Sequence, residues 1–330
     1  MISKNELIKN KDLLNDKAIG AFIGHAIGDS FGDSARSQEN HFNYGITMDF
    51  DENEVPSTDD TDFALLTAQI LLECKGDLTT EKVVEGWKKY VSPNKELKRG
   101  GASEIEGMAN IRRGIMPPLS GKYNAYNISD GASMRVTAFG IACAGDPGKA
   151  ARYAEIDASL SHWRDGIWGA QAVAAAVSVA MINAPVEEII NTALKYMPED
   201  SWLRYNMLKA IEIIKISDSM EEAWMPLHKQ LWSTYKAAVP EAVVEAFSVI
   251  MLTKGDFKKG IIYGGNFGRD ADTIGAIVGA VSGALNGASA IPEKWKEKTR
   301  YPAGICLPFT KGLDVYSVAS ELAKLAELQN

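Results

Sequence analysis

The sequence predicts an all-α protein. Apolar residues recur at the helical spacing of three and four: Phe63, Leu66 and Ile70 do so, as do Val173, Val177 and Ala180. Trp202, Leu208 and the 211–214 stretch indicate a further helix, and 242–252 another. Strand-like alternation bounded by turn residues is scarce, and Val, Ile and Thr are not gathered into short runs. The pattern amounts to about a dozen helices joined by short loops.

Two segments carry glycine at every fourth position. The first has Gly20, Gly24, Gly28 and Gly32; the second has Gly275, Gly279, Gly283 and Gly287, each followed by alanine (Ala276, Ala280, Ala284, Ala288). That spacing places each set on one helix face. A glycine inside a helix costs about 1 kcal/mol relative to alanine, and close approach of two backbones offsets such a cost. Membrane helices use the same pattern, but Asp29, Asp33, Asp270 and Asp272 in these segments exclude a bilayer. The expectation is a pair of tightly packed central helices from opposite ends of the chain, hence one domain over residues 1–330.

The chain has 330 residues, 46% apolar and 24% charged, enough to bury a core without staples. A net charge of −8 without a basic tract argues against nucleic acid as partner. Three scattered cysteines (Cys74, Cys143, Cys306) without CxxC spacing fit a reducing compartment and exclude a zinc ribbon or disulfide framework. The four histidines lack HExxH spacing. With a polar start and no span-length apolar stretch, the expected location is the cytoplasm, away from membranes. The least regular stretches, 37–56 and 114–130, are of the kind that surrounds a site.

Four motifs carry chemistry. Ser57-Thr58-Asp59-Asp60-Thr61-Asp62 precedes the 63–74 helix. Ser57 and Asp60 resemble a capping box, yet three carboxylates in four residues repel one another, and a hard divalent cation relieves that. Asn266-Phe267-Gly268-Arg269-Asp270-Ala271-Asp272-Thr273 opens a second helix with a second Asp, Asp, Thr set. If the glycine faces bring the two together, up to four Asp and two Thr converge, enough for two octahedral ions. Asp29, in the first glycine segment, suits an orienting partner of metal ligands, and Asn266 is placed in the same supporting role. Ser129-Asp130-Gly131-Ala132-Ser133-Met134-Arg135 is a small-residue loop whose N–H groups suit phosphate oxygens, with Arg135 adding charge; an ordinary capped helix start reads equally well. His162 stands beside Trp163, where a structural histidine is the commoner reading. Neither a GxGxxG loop nor a GxSxG elbow is present.

Taken in order, GxxxGxAxGDxxG, TDDT, (N/D)GxxMR and NxGxDxDTxGAIxGxxxGA run from Gly20 to Ala288. This combination resembles the ADP-ribosylglycohydrolase family. The resemblance implies a compact all-α fold with two Mg²⁺ ions (Mn²⁺ in some members) in a central cleft. By that likeness Thr58, Asp59, Asp60, Asp270, Asp272 and Thr273 ligate metal, with Asp272 between the ions. Gly131, Ser133, Met134 and Arg135 match the loop lining the ribose–diphosphate site, and His162 a position near the ligand. Two positions depart from the pattern. Arg36 stands where many members have a glutamate; Asp33 or Glu39 would have to substitute, or Arg36 binds an anionic group of the substrate. Asp130 stands where asparagine is common.

The implied activity is metal-dependent cleavage of a glycosidic bond in an ADP-ribosylated protein or a small ADP-ribose-like molecule. Asp59, Asp60 and Asp272 are the candidate catalytic carboxylates, positioning a water or taking its proton. The alternatives are a glycosidase of the same fold acting on another ribosyl or glycosyl compound, and a non-catalytic crystallin-like relative.

Overall fold

The computed structural model describes residues 1–35, 45–50, 54–94 and 96–328, with no side-chain description for 34 and 35. Among these residues the secondary structure is helical, apart from one isolated antiparallel bridge between Ser129 and Ala238. There are more helices than the dozen the periodicity supports. Several, such as Lys4–Lys9, Leu119–Lys122 and Thr137–Ala142, are only one or two turns long, too short to display a period.

The two glycine-bearing segments form the helices Lys11–Ala35 and Ala271–Asn286, which pack against each other along their length. They are antiparallel: Gly20 faces Gly283, Gly24 faces Gly279, Gly28 faces Gly275, and Gly32 faces Ala271. A Cβ added at Gly28 would lie 1.9 Å from the Gly275 carbonyl oxygen, and one at Gly279 would lie 1.9 Å from that of Gly24. Side chains of any size are therefore excluded along this seam. The long helix ends near the start of its partner, with Gly32 against Ala271, so Asp29 arrives beside Asp272.

The alanine-rich helix Asp165–Ala180 is buried almost throughout and packs on Ala271–Asn286, on Pro147–Ala158 and on the 3-10 turn Asp130–Arg135. Val239–Leu252 and Phe257–Gly265 cover the other side of Ala271–Asn286. At the far end of that helix, Lys17 Nζ donates to the Ala284 and Leu285 carbonyls at 2.7 and 3.1 Å. A cation there complements the negative end of the helix dipole, although burial lowers the Lys17 pKa to about 8. No helix among the described residues is long and apolar enough to cross a membrane.

The seam gives a direct stability test. Gly24→Ala or Gly279→Ala gains helix propensity but forces a methyl into backbone, an overpacking cost of about 1–3 kcal/mol or more. Both variants are expected to unfold at lower urea concentration than wild type; a midpoint equal to or above wild type would refute the close backbone contact.

Candidate metal centre and its cavity

Helix Asp59–Glu73 begins at the end of Lys11–Ala35, and its cap comes from that neighbour. Ser57 does not cap it: the N-cap is Thr58, whose side chain makes no capping bond, and Ser57 Oγ instead accepts from Ala303 N at 3.0 Å. The work falls to Asp29. Its carboxylate accepts from Thr58 N (2.8 Å), Thr58 Oγ1 (2.5 Å), Thr61 N (3.1 Å) and Thr61 Oγ1 (2.5 Å). Two otherwise orphaned N–H groups are satisfied in this way. The Thr58 hydroxyl proton is spent on Asp29, which leaves the lone pairs of that oxygen facing away from the carboxylate.

The second acidic segment is set by its own turn. Gly268 and Arg269 both have positive φ, +90° and +60°. The cost of that conformation at Arg269, about 1–3 kcal/mol, is offset by its side chain, which donates to Glu241 through Nε and, at 3.2 Å, through Nη2, and to Ser233 O at 2.6 Å. Trp224 Nε1 holds Phe267 O at 2.8 Å. Asn266 bonds the Thr47 backbone in both directions, at 2.8 Å each, so it anchors the segment 45–50. Asp270 is then the N-cap of Ala271–Asn286, with Asp272 and Thr273 in its first turn.

Two helix N-termini, carrying positive dipole ends, thus meet at one place. Carboxylate oxygens of Asp29, Asp60 and Asp272 lie within 4.8 Å of one another. Because both Asp29 oxygens already accept hydrogen bonds, Asp29 orients the cluster and Asp60 and Asp272 are its outward-facing members. Asp60 Oδ2 is buried without a hydrogen-bond partner.

These groups wall a cavity of about 230 Å³. Its lining includes Asp59, Asp60, Asp270, Asp272 and Thr273 together with Gly131 and Met134 of the small-residue loop. It also includes Ser129, which opens that loop, and residues that sequence reasoning missed: Arg99, Ser103, Glu104, Tyr235 and Lys236. Burial, and then the charge of Asp272, pushes Asp59 and Asp60 well above the usual carboxylate range. Burial likewise raises Asp130, with the charge of Asp270 next. Burial raises Asp29 too, against the lowering effect of its four hydrogen bonds. The fourth carboxylate of the first motif, Asp62, points elsewhere. It accepts from Cys306 N, Leu307 N and Thr310 Oγ1 at 2.9, 3.0 and 2.5 Å, fastening the C-terminal loop, and burial raises its pKa to about 6.

Arg135, expected to reach a phosphate, does not line the cavity. It is fully enclosed, donating to Asp157 Oδ2 (2.6 Å), Glu104 Oε1 (2.8 Å), Gly131 O (3.0 Å) and Ser161 Oγ (3.0 Å), with its guanidinium 5.0 Å from the Trp87 ring centre. His162 closes this network from behind the cavity. Ser103 Oγ donates to Glu104 Oε2 at 2.8 Å, so Ser129 Oγ must donate to Ser103 Oγ at 2.7 Å. His162 Nε2 then donates to Ser129 Oγ at 3.0 Å, and Nδ1 accepts from Ser161 Oγ at 2.8 Å. The ring is neutral, with its pKa held well below the usual value by burial and then by Arg135. Ser133 is also buried, outside the lining. Glu104 itself fits only because Gly101 and Gly131 lack side chains: a Cβ at either would lie 2.3 Å from a Glu104 oxygen. Asp33 pairs with Arg99 at the cavity wall, while Arg36 and Glu39 lie outside the described residues.

Two converging acidic helix starts in a helical bundle define a protein with a buried, carboxylate-lined cavity, and the comparisons give its family. The ADP-ribosylglycohydrolase family model matches residues 10–330. The chain is 31% identical over 296 residues to an uncharacterised protein of Archaeoglobus fulgidus, covering 86% of this chain and 92% of that one. Its fold is similar to a solved ADP-ribosylglycohydrolase-related protein complex, with a TM-score of 0.68, 20% identity, and coverage of 96% of this chain and 99% of the other. The chain belongs to the ADP-ribosylglycohydrolase family.

Two predictions follow from the site. Arg135→Met leaves Glu104 and Asp157 buried without their cation, which costs about 3–5 kcal/mol; a urea midpoint within error of wild type would contradict the network. The second concerns pH. A carboxyl whose folded pKa is raised contributes stability that is full below its unfolded value and lost as pH rises through the folded one, so Asp59, Asp60 and Asp130 weaken the metal-free protein toward neutral pH. The buried His25, lowered to about 4, and His162 slope the opposite way near the unfolded histidine value. Cations bind the deprotonated carboxylates. The increase in melting temperature produced by Mg²⁺ over EDTA should therefore grow from about pH 5 to pH 8. Calorimetry showing an increment that is constant or shrinks with pH would contradict a carboxylate-held cation.

Proposed function

We propose that the protein is a Mg²⁺-dependent hydrolase, with Mn²⁺ as the alternative metal. It would cleave the glycosidic bond at the ribose of an ADP-ribosylated side chain or an ADP-ribose-like small molecule. The observation that carries this reading is the charge of the cavity wall. Six carboxylates (Asp59, Asp60, Glu104, Asp130, Asp270, Asp272) face two basic side chains, Arg99 and Lys236. With Glu104 paired to Arg135 and Arg99 to Asp33, five carboxylates remain against Lys236, an excess that hard divalent cations relieve.

The donor set fits such ions: hard oxygens, arranged on two rigid helix starts. Thr58, Asp59, Asp60, Asp270, Asp272 and Thr273 would hold them, with Asp29 fixing Thr58. The ions would supply Lewis acidity toward water and the ribose hydroxyls. Asp59 or Asp60 orients the attacking water and takes its proton. The surrounding carboxylates stabilise the positive charge that develops on the sugar as the bond breaks. Gly131 and Met134 form the wall beside the sugar. Arg99 and Lys236 are the basic groups placed to meet a diphosphate, since Arg135 is enclosed. Tyr235, on the wall, has its ring 6.0 Å from that of Tyr126, which offers planar faces to a base. Arg135's enclosure also favours a second reading, the same chemistry on a ribosyl compound without a diphosphate.

Release of ADP-ribose from ADP-ribosyl-arginine, ADP-ribosyl-serine and O-acetyl-ADP-ribose, in Mg²⁺ and in EDTA, tests the assignment. EDTA-sensitive release from one of them is expected. Release only from a nucleoside panel would favour the second reading, and release unaffected by EDTA would overturn the metal requirement. Asp60→Ala and Asp272→Ala should bring turnover below detection while metal-free stability stays within about 1 kcal/mol of wild type; full activity in both would remove them from the site.

A further inference from the structure

The metal reading leaves one cavity carboxylate without a role. Asp130 opens the 3-10 turn Asp130–Arg135 and is 3% exposed. Its position is fixed by backbone bonds to the neighbouring segment: Asp130 N donates to Ala237 O at 2.7 Å and Val239 N to Ile128 O at 2.9 Å. The side chain therefore cannot retreat to solvent. It lines the cavity together with Asp270, and its Oδ2 is buried with no hydrogen-bond partner. Two carboxylates on one buried wall repel each other unless a proton or a cation neutralises them. Lys236 Nζ lies 2.9 Å from Asp270 Oδ1, a single positive charge for the pair, and Arg135 is committed to Glu104 and Asp157. Asp60 Oδ2, on the same cavity wall, is a second buried oxygen without a partner.

We propose that Asp130 is a ligand of the divalent cation held at Asp270, alongside the two Asp-Asp-Thr motifs. This rests on the metal reading above and extends it to a residue outside the two acidic helix starts. The chemistry agrees: a second hard, charged oxygen beside Asp270 raises the ligand charge at that ion. Asp130 also ties the metal to the loop bearing Gly131 and Met134, so cation binding and the wall beside the sugar become one rigid unit.

The test is calorimetric titration of the metal-stripped chain with Mn²⁺, comparing wild type with Asp130→Asn. Wild type is expected to bind two equivalents. In D130N one equivalent should bind about tenfold more weakly or not at all, with the other unchanged. Asparagine has nearly the same shape and removes a buried repulsive charge, so the EDTA melting temperature of D130N should equal or exceed that of wild type. Should D130N fail to fold, Asp130→Ser takes its place in the same titration. Two equivalents with wild-type affinities in the variant would overturn the role of Asp130 and leave the metal reading intact. No Mn²⁺ binding by wild type would overturn both.

Discussion

Everything at the cavity depends on the backbone-to-backbone contact between helices Lys11–Ala35 and Ala271–Asn286. Glycines at four-residue spacing on each helix remove every side chain from the seam, and the carbonyls of one helix pack where Cβ atoms of the other would be. The helix propensity lost there, about 1 kcal/mol per glycine, secures two results. It locks the N-terminal and C-terminal parts of the chain into one core. It also brings the end of one helix and the start of the other close enough for Asp29, Asp60 and Asp272 to meet.

The second constraint is electrostatic. Asp29 satisfies the helix start that carries Asp59 and Asp60, and two helix dipoles favour negative charge at the same point. Neither offsets the burial of so many carboxylates, and their raised pKa values express the remaining strain. A fold that concentrates like charges in this way is less stable without cations than it could be, the usual relation between a functional site and its scaffold. The opposite wall is built differently. There Arg135, Asp157, Glu104, three serines and neutral His162 form a fully bonded network whose donor order is fixed from end to end, and it presents Glu104 to the cavity.

The helical class, the pairing of the glycine helices and the meeting of the two acidic helix starts were legible in the sequence because each is a short periodic pattern. The cap of Asp59–Glu73 was not. Ser57 has the right residue type and spacing, but Asp29 lies 29 positions before Thr58 and wins through tertiary placement. Arg135 was read toward a phosphate because nothing local shows that Glu104 and Asp157 would enclose it. Arg99 and Glu104, and Tyr235 and Lys236, were missed for the same reason: they come from two stretches far apart in the chain, and only the fold collects them on one wall. Glycine carried a signal that went unused, since Gly101 and Gly131 together make the space that Glu104 occupies.

The most direct measurement is anomalous diffraction at the manganese edge from crystals of the whole chain grown with Mn²⁺. A binuclear centre built on the glycine seam requires two anomalous peaks, flanking Asp272 and within coordination distance of Asp59 or Asp60 on one side and Asp270 on the other. An empty cavity at saturating Mn²⁺, or ions bound only at surface carboxylates, would contradict it.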